Sequence, residues 1–136
     1  MTIDYELIFR LLLAVIIGGA IGWERQQKHK AAGLRTHVLV CITSTFIVAS
    51  MITYYGAGHV EIARIAQGIL TGIGFLGAGT IISKGTHVQG LTTAASVWCV
   101  SGLGIVIGMG EYLTAIIVTV IVSILLWYKQ LDAVVQ

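Results

Sequence analysis

The sequence predicts an all-α, polytopic membrane protein with five transmembrane helices. Three observations predict it. Five apolar stretches, each near 20 residues, fill almost the whole 136-residue chain. The charges fall between the stretches or close to their ends. The stretches are continuously apolar rather than alternating. A hydrocarbon core about 30 Å thick is crossed by about 20 helical residues. Within it only helices and closed barrels satisfy every backbone group. Unbroken apolar runs favour helices over barrel strands. Composition agrees: 57% hydrophobic, 10% charged, mean hydropathy +0.93, where a soluble domain carries about 25% charged residues.

The spans are expected near 5–23, 37–55, 62–82, 91–109 and 112–128, in one transmembrane domain covering 1–136. The first is read as a retained helix, because the leading segment, Met1 to Glu6, carries Asp4 and Glu6 and no Lys or Arg, whereas a signal peptide starts positive. Short connections make consecutive helices antiparallel. Arg25, Lys28, Lys30, Arg35, Lys84 and Lys129 lie on one side, and only Arg10 and Arg64 lie towards the other. This bias places the former side in the cytoplasm, with the amino terminus out and the carboxyl terminus in. Tyr5, Tyr54, Tyr55 and Tyr112 mark the outer interface; Trp23, Trp127 and Tyr128 mark the inner one. Trp98 is the exception, near the middle of span four, and reads as a packed interior residue or a site-lining one.

Span five is rich in Ile and Val and contains no Gly, as a lipid-facing helix would be. Span three is the opposite: Gly68, Gly72, Gly74, Gly77 and Gly79 crowd it. Small residues on two sides let neighbours approach closely, so span three is expected at the centre of the bundle. Gly18 and Gly22 form a further small pair on span one. All seven glycines read as packing positions, with an unwound mid-membrane site as the alternative for span three.

Arg10 and Arg64 lie within spans, with Gln67 near the second. Each either snorkels to the outer surface or joins a polar outer mouth of Arg10, Arg64 and Gln67. On the inner side Glu24 and Arg25 end span one. Gly33 is expected to turn the chain with positive φ and Thr36 to cap the next helix. Glu24 is the lone acid near four bases, so a Glu24–Arg35 pair is expected. Glu24, Arg25, Arg35, Thr36, His37, Thr92 and Thr93 are predicted to meet in one polar cluster; the alternative is a solvated loop that contacts headgroups.

No catalytic constellation is present, and the span-three glycines lack the Lys-Ser/Thr of a phosphate loop. No metal site or cofactor is predicted. Cys41 and Cys99 read as free thiols, and His37 with Cys41 on one helix face supplies too few ligands for a metal. The net charge of +2 implies no nucleic-acid partner. The lipid bilayer is the partner that composition demands; a homodimer and another membrane protein stay open.

Gly18-Gly19-Ala20-Ile21-Gly22-Trp23-Glu24-Arg25 and Ala32-Gly33-Leu34-Arg35-Thr36-His37 resemble the start of the MgtC/SapB family. So do Arg64 to Gln67 with Gly72-Ile73-Gly74-Phe75-Leu76-Gly77-Ala78-Gly79, and Val88-Gln89-Gly90-Leu91-Thr92-Thr93-Ala94-Ala95 with Trp98. These four linked motifs recur in the family's order over about residues 5 to 128. The resemblance implies a multi-pass protein of the bacterial inner membrane, associated with growth under magnesium limitation and, in pathogens, with survival inside host cells. It implies a non-enzymatic regulator more than a magnesium transporter. Many members carry a soluble carboxyl-terminal domain, so this chain reads as a short member or as the membrane part alone. The competing reading is a small ion or solute transporter, a homo-oligomer with its path along span three.

Overall fold

The structure, a computed structural model, describes residues 5–56, 61–84 and 87–128. The helices are α1 (Tyr5–Gln27), α2 (Leu34–Tyr55), α3 (Ile62–Ala78), α4 (Leu91–Gly108) and α5 (Tyr112–Trp127). Between α3 and α4 lie two short antiparallel strands, β1 (Ile82–Lys84) and β2 (His87–Gln89), with Ser83 opposite Val88. Among the described residues, α1, α2 and α4 are long and apolar enough to cross a membrane, while α3 and α5 are shorter apolar helices. Lys129, counted in the expected charge bias, lies outside the described residues.

Span three was expected to run helical to Ile82, but α3 stops at Ala78 and Ile82 starts a strand. Gly77 and Gly79 weaken the last turn. The Thr80 hydroxyl donates to the Gly77 carbonyl at 2.8 Å. Thr80 then lies so close to Gly90 that a Cβ there would sit 2.0 Å from the Thr80 carbonyl oxygen. Gly90 also has φ +91°, so only glycine suits this start of α4.

The centre of the bundle is α4, not α3. Helix α4 packs against all four other helices, and α1 against α2 is the most extensive contact. The core joins Ala14, Ile17 and Ile21 of α1 to Cys41 of α2, Val100, Leu103 and Ile107 of α4, and Ala115 of α5. Helix α3 leans on α4, touches α2 little, and has Gly77 as its one buried residue among those described.

Two glycine pairs set the close contacts, and both receive α2. A Cβ at Gly22 would lie 2.8 Å from Leu34 Cα, and one at Gly18 2.9 Å from the His37 carbonyl oxygen. On the other side of α2, a Cβ at Gly104 would lie 2.5 Å from the Cys41 carbonyl oxygen, and one at Gly108 2.7 Å from Val48 Cβ. The expected span-three glycines differ. Gly77 meets Ala94 and Gly79 meets carbonyls of its own helix, but a Cβ at Gly68, Gly72 or Gly74 would meet nothing within 4 Å among the described residues.

Candidate functional site

At one end of the bundle the guanidinium of Arg10 is largely buried. It donates to the Gly108 carbonyl at 2.6 Å and to the Tyr112 hydroxyl at 3.1 Å, and pairs with Glu6 one turn earlier. The Tyr112 hydroxyl also donates to Glu6 at 3.3 Å. Gly108 is the last residue of α4, whose final carbonyls have no partner in their own helix. In an apolar surround such a group needs a donor. Arg10 therefore caps α4 and holds the α4–α5 turn. Arg64 is 83% exposed and pairs with Glu61 on its own helix at 3.1 Å. Arg10, Arg64 and Gln67 do not form the expected outer mouth within the chain.

The opposite end repeats the device. Glu24 and Arg25 are buried and joined by two hydrogen bonds, one of them 2.7 Å long; Lys28 reaches Glu24 at 2.6 Å. Arg25 and Lys28 both donate to the Leu126 carbonyl, in the last turn of α5. One helix, α1, thus carries a carboxylate-braced cation at each end, and each caps the carboxyl terminus of another helix. Cations there also oppose the helix dipole. Glu24 keeps both cations oriented, and without it Arg25 would be a buried unpaired charge.

The predicted inner cluster is divided. Glu24 pairs with Arg25 and Lys28 rather than Arg35, which is exposed and makes no ion pair among the described residues. Thr92 is exposed as well. Thr36 lies within α2 and caps nothing; Gly33 precedes that helix with φ −116°, and His29, at φ 52°, takes the left-handed turn instead.

His37 is fully buried and belongs to a second group. Its Nδ1 faces the Gly33 carbonyl at 2.8 Å, and its Nε2 faces the Ser96 hydroxyl at 3.0 Å. A carbonyl only accepts, so Nδ1 carries the hydrogen, and in the neutral ring Nε2 accepts from Ser96. The Ser96 hydroxyl oxygen also lies 2.8 Å from the Thr93 carbonyl oxygen, and the hydroxyl has one proton to give. It is shared between histidine and helix. Further along the α2–α4 seam, Ser44 meets Ser101 at 3.1 Å, and Thr45 donates to the Gly104 carbonyl at 2.9 Å. Cys41, buried beside this seam, and half-buried Cys99 are free thiols. Trp98 is half exposed on the outside of α4, so it lines no interior site.

Sequence reasoning missed Glu6, Tyr112, Lys28, Ser96 and the Gly104–Gly108 pair. The last had a visible signal, the same four-residue spacing as Gly18 and Gly22. Glu6 four residues before Arg10 was a second.

The MgtC family model matches residues 11–132. The chain is 43% identical over 119 residues to Protein MgtC of Salmonella typhimurium, covering 87% of this chain and 50% of that protein. It is 44% identical over 115 residues to "Putative magnesium transporter YhiD" of Escherichia coli K12, covering 79% and 53%. It is 44% identical over 110 residues to Protein MgtC of Brucella abortus, covering 80% and 45%. The chain spans about half the length of these curated relatives. No solved structure matches.

Proposed function

The chain belongs to the MgtC family, and on that premise we propose that it is a multi-pass protein of the bacterial inner membrane that regulates, without catalysis, membrane or ion homeostasis when magnesium is scarce. It crosses the bilayer five times, amino terminus out and carboxyl terminus in. The two helix-end clamps support the alternation: Arg10 puts the start of α1 with the end of α4, and Arg25 puts the end of α1 with the end of α5.

The observation that carries the regulatory reading is the use of the buried polar groups. His37, Ser44, Thr45, Ser96 and Ser101 bind one another or backbone carbonyls across a seam where α2 and α4 touch through Gly104 and Gly108. Such a seam is a packed joint rather than a path for an ion. A strain lacking its own copy, complemented at matched protein levels, tests the inner clamp. Glu24→Ala and Arg25→Ala should lose growth in low magnesium, and Lys30→Ala should keep it. Parental growth of all three would sink the role of the clamp.

Magnesium transport is the second reading, favoured by the name that YhiD carries. A magnesium path wants hard oxygen ligands. Glu6, Glu24 and Glu61 are each engaged by a neighbouring cation. Purified protein in liposomes should admit magnesium no faster than empty liposomes do. Faster entry, abolished by a substitution in the bundle, would replace the regulatory reading.

A further inference from the structure

Two helices lie at the rim of the bundle, and their outward faces differ in kind. Helix α5 presents Leu113, Ile117, Val120 and Ile124, a face that suits hydrocarbon. Helix α3 presents Arg64, Gln67, Gly68, Thr71, Gly72 and Phe75, and turns Ile65, Ile69 and Ile73 towards the bundle. Left to lipid, that polar and small face would be costly, most of all at Arg64. An open apolar groove of about 350 Å³ runs beside it between α2 and α3, with Gly68 and Gly72 on one wall and Leu39 and Ile47 on the other.

The geometry points to a second copy of this chain as the partner of the α3 face. Copies oriented alike in one bilayer are related by a two-fold axis along its normal, so each α3 meets the other at the same depth. Lone arginines would then repel. Here Glu61 sits 3.1 Å from Arg64 and is 70% exposed, so each copy brings both signs to the axis, and an exchanged pairing between copies would offset the repulsion. Deeper in, Gly68 and Gly72 let the backbones approach, and Phe75, 86% exposed, supplies bulk for the groove. The same molecule shows what this spacing does: Gly18 with Gly22 and Gly104 with Gly108 each receive a helix at backbone distance, whereas Gly68 with Gly72 receives none among the described residues. This association is independent of the regulatory reading and of any transport.

The test uses the full chain in native membranes. Gln67→Cys, oxidised with copper phenanthroline, should give a covalent dimer of the chain, and Val120→Cys on α5 should not. Adding Gly72→Leu to Gln67→Cys should abolish that dimer. Native mass measurement of Gly72→Leu in lipid nanodiscs should shift from two chains to one. Its thermal melting in monomeric detergent should not change, because a side chain at Gly72 would enter an open groove with nothing within 4 Å of its Cβ among the described residues. A cross-link from position 67 to a different protein would overturn the proposal and make the face a heterologous docking surface. Absence of any cross-link, or a dimer untouched by Gly72→Leu, would overturn it too.

Discussion

Replacing Gly104 by alanine adds one methyl group where α2 and α4 touch. The new Cβ would fall 2.5 Å from the Cys41 carbonyl oxygen and 2.7 Å from Ser44 Cβ. The first atom is backbone and cannot swing aside, so α2 must move by close to 1 Å to restore an ordinary contact. Overpacking of this kind costs about 1–3 kcal/mol. The same movement strains the hydrogen bond from Thr45 to the Gly104 carbonyl and the one between Ser44 and Ser101. Each contributes about 1 kcal/mol, so the total loss is about 2–4 kcal/mol. Gly102, on the same helix, is the control, because a Cβ there meets nothing within 4 Å. Gly102→Ala should be neutral or stabilise by up to about 1 kcal/mol through helix propensity. Unfolding both variants by SDS titration in mixed micelles measures the difference. Parental stability of Gly104→Ala, or a loss in Gly102→Ala as large, would refute the close α2–α4 contact.

Further outcomes follow from the clamps and the hairpin. Arg10→Ala should cost about 2–4 kcal/mol, since it removes the hydrogen bonds to Gly108, Tyr112 and exposed Glu6 and leaves the Gly108 carbonyl uncapped; Arg35→Ala should change melting little. Glu24→Gln should cost about 3–5 kcal/mol by leaving Arg25 buried without a counter-charge, and the same measurement on Lys30→Ala should show parental melting. Gly90→Ala should cost at least about 2 kcal/mol, because it meets both a left-handed φ and the Thr80 carbonyl; trypsin sensitivity around Lys84 should rise with it.

The starts of the five helices and the ends of α2, α4 and α5 were legible in the sequence to within about three residues, because apolar length and flanking charge are local properties; α1 runs on past the expected end at 23 to Gln27, through the charged residues that were read as its boundary. The end of α3 was not legible either. Residues 79–82 continue the apolar run, and the break comes from the Thr80 hydroxyl and from the approach of Gly90, a contact across the hairpin. The central helix was misplaced for a related reason. Counting glycines favours span three, but what brings helices together is a pair with a partner opposite, and the partner of Gly104 and Gly108 is the backbone of α2. Glu24 was legible as a paired acid but not its partners: Arg25 is adjacent in sequence, and the carbonyl that both cations seek belongs to Leu126, about a hundred residues away. Trp98 looked interior from its depth alone, whereas its direction depends on the rotation of α4 about its axis.

The two clamps stand on opposite sides of the bilayer if the chain crosses five times, with Arg10 and Tyr112 outside and Glu24 and Arg25 inside. Single cysteines at Glu111 and at His29, placed in a chain with Cys41 and Cys99 changed to alanine, test this directly with a membrane-impermeant maleimide. Intact spheroplasts should label position 111 at once and position 29 only after permeabilisation. Labelling of both positions before permeabilisation, or the reverse order, would contradict the topology and with it the assignment of the Glu24–Arg25 clamp to the cytoplasmic face.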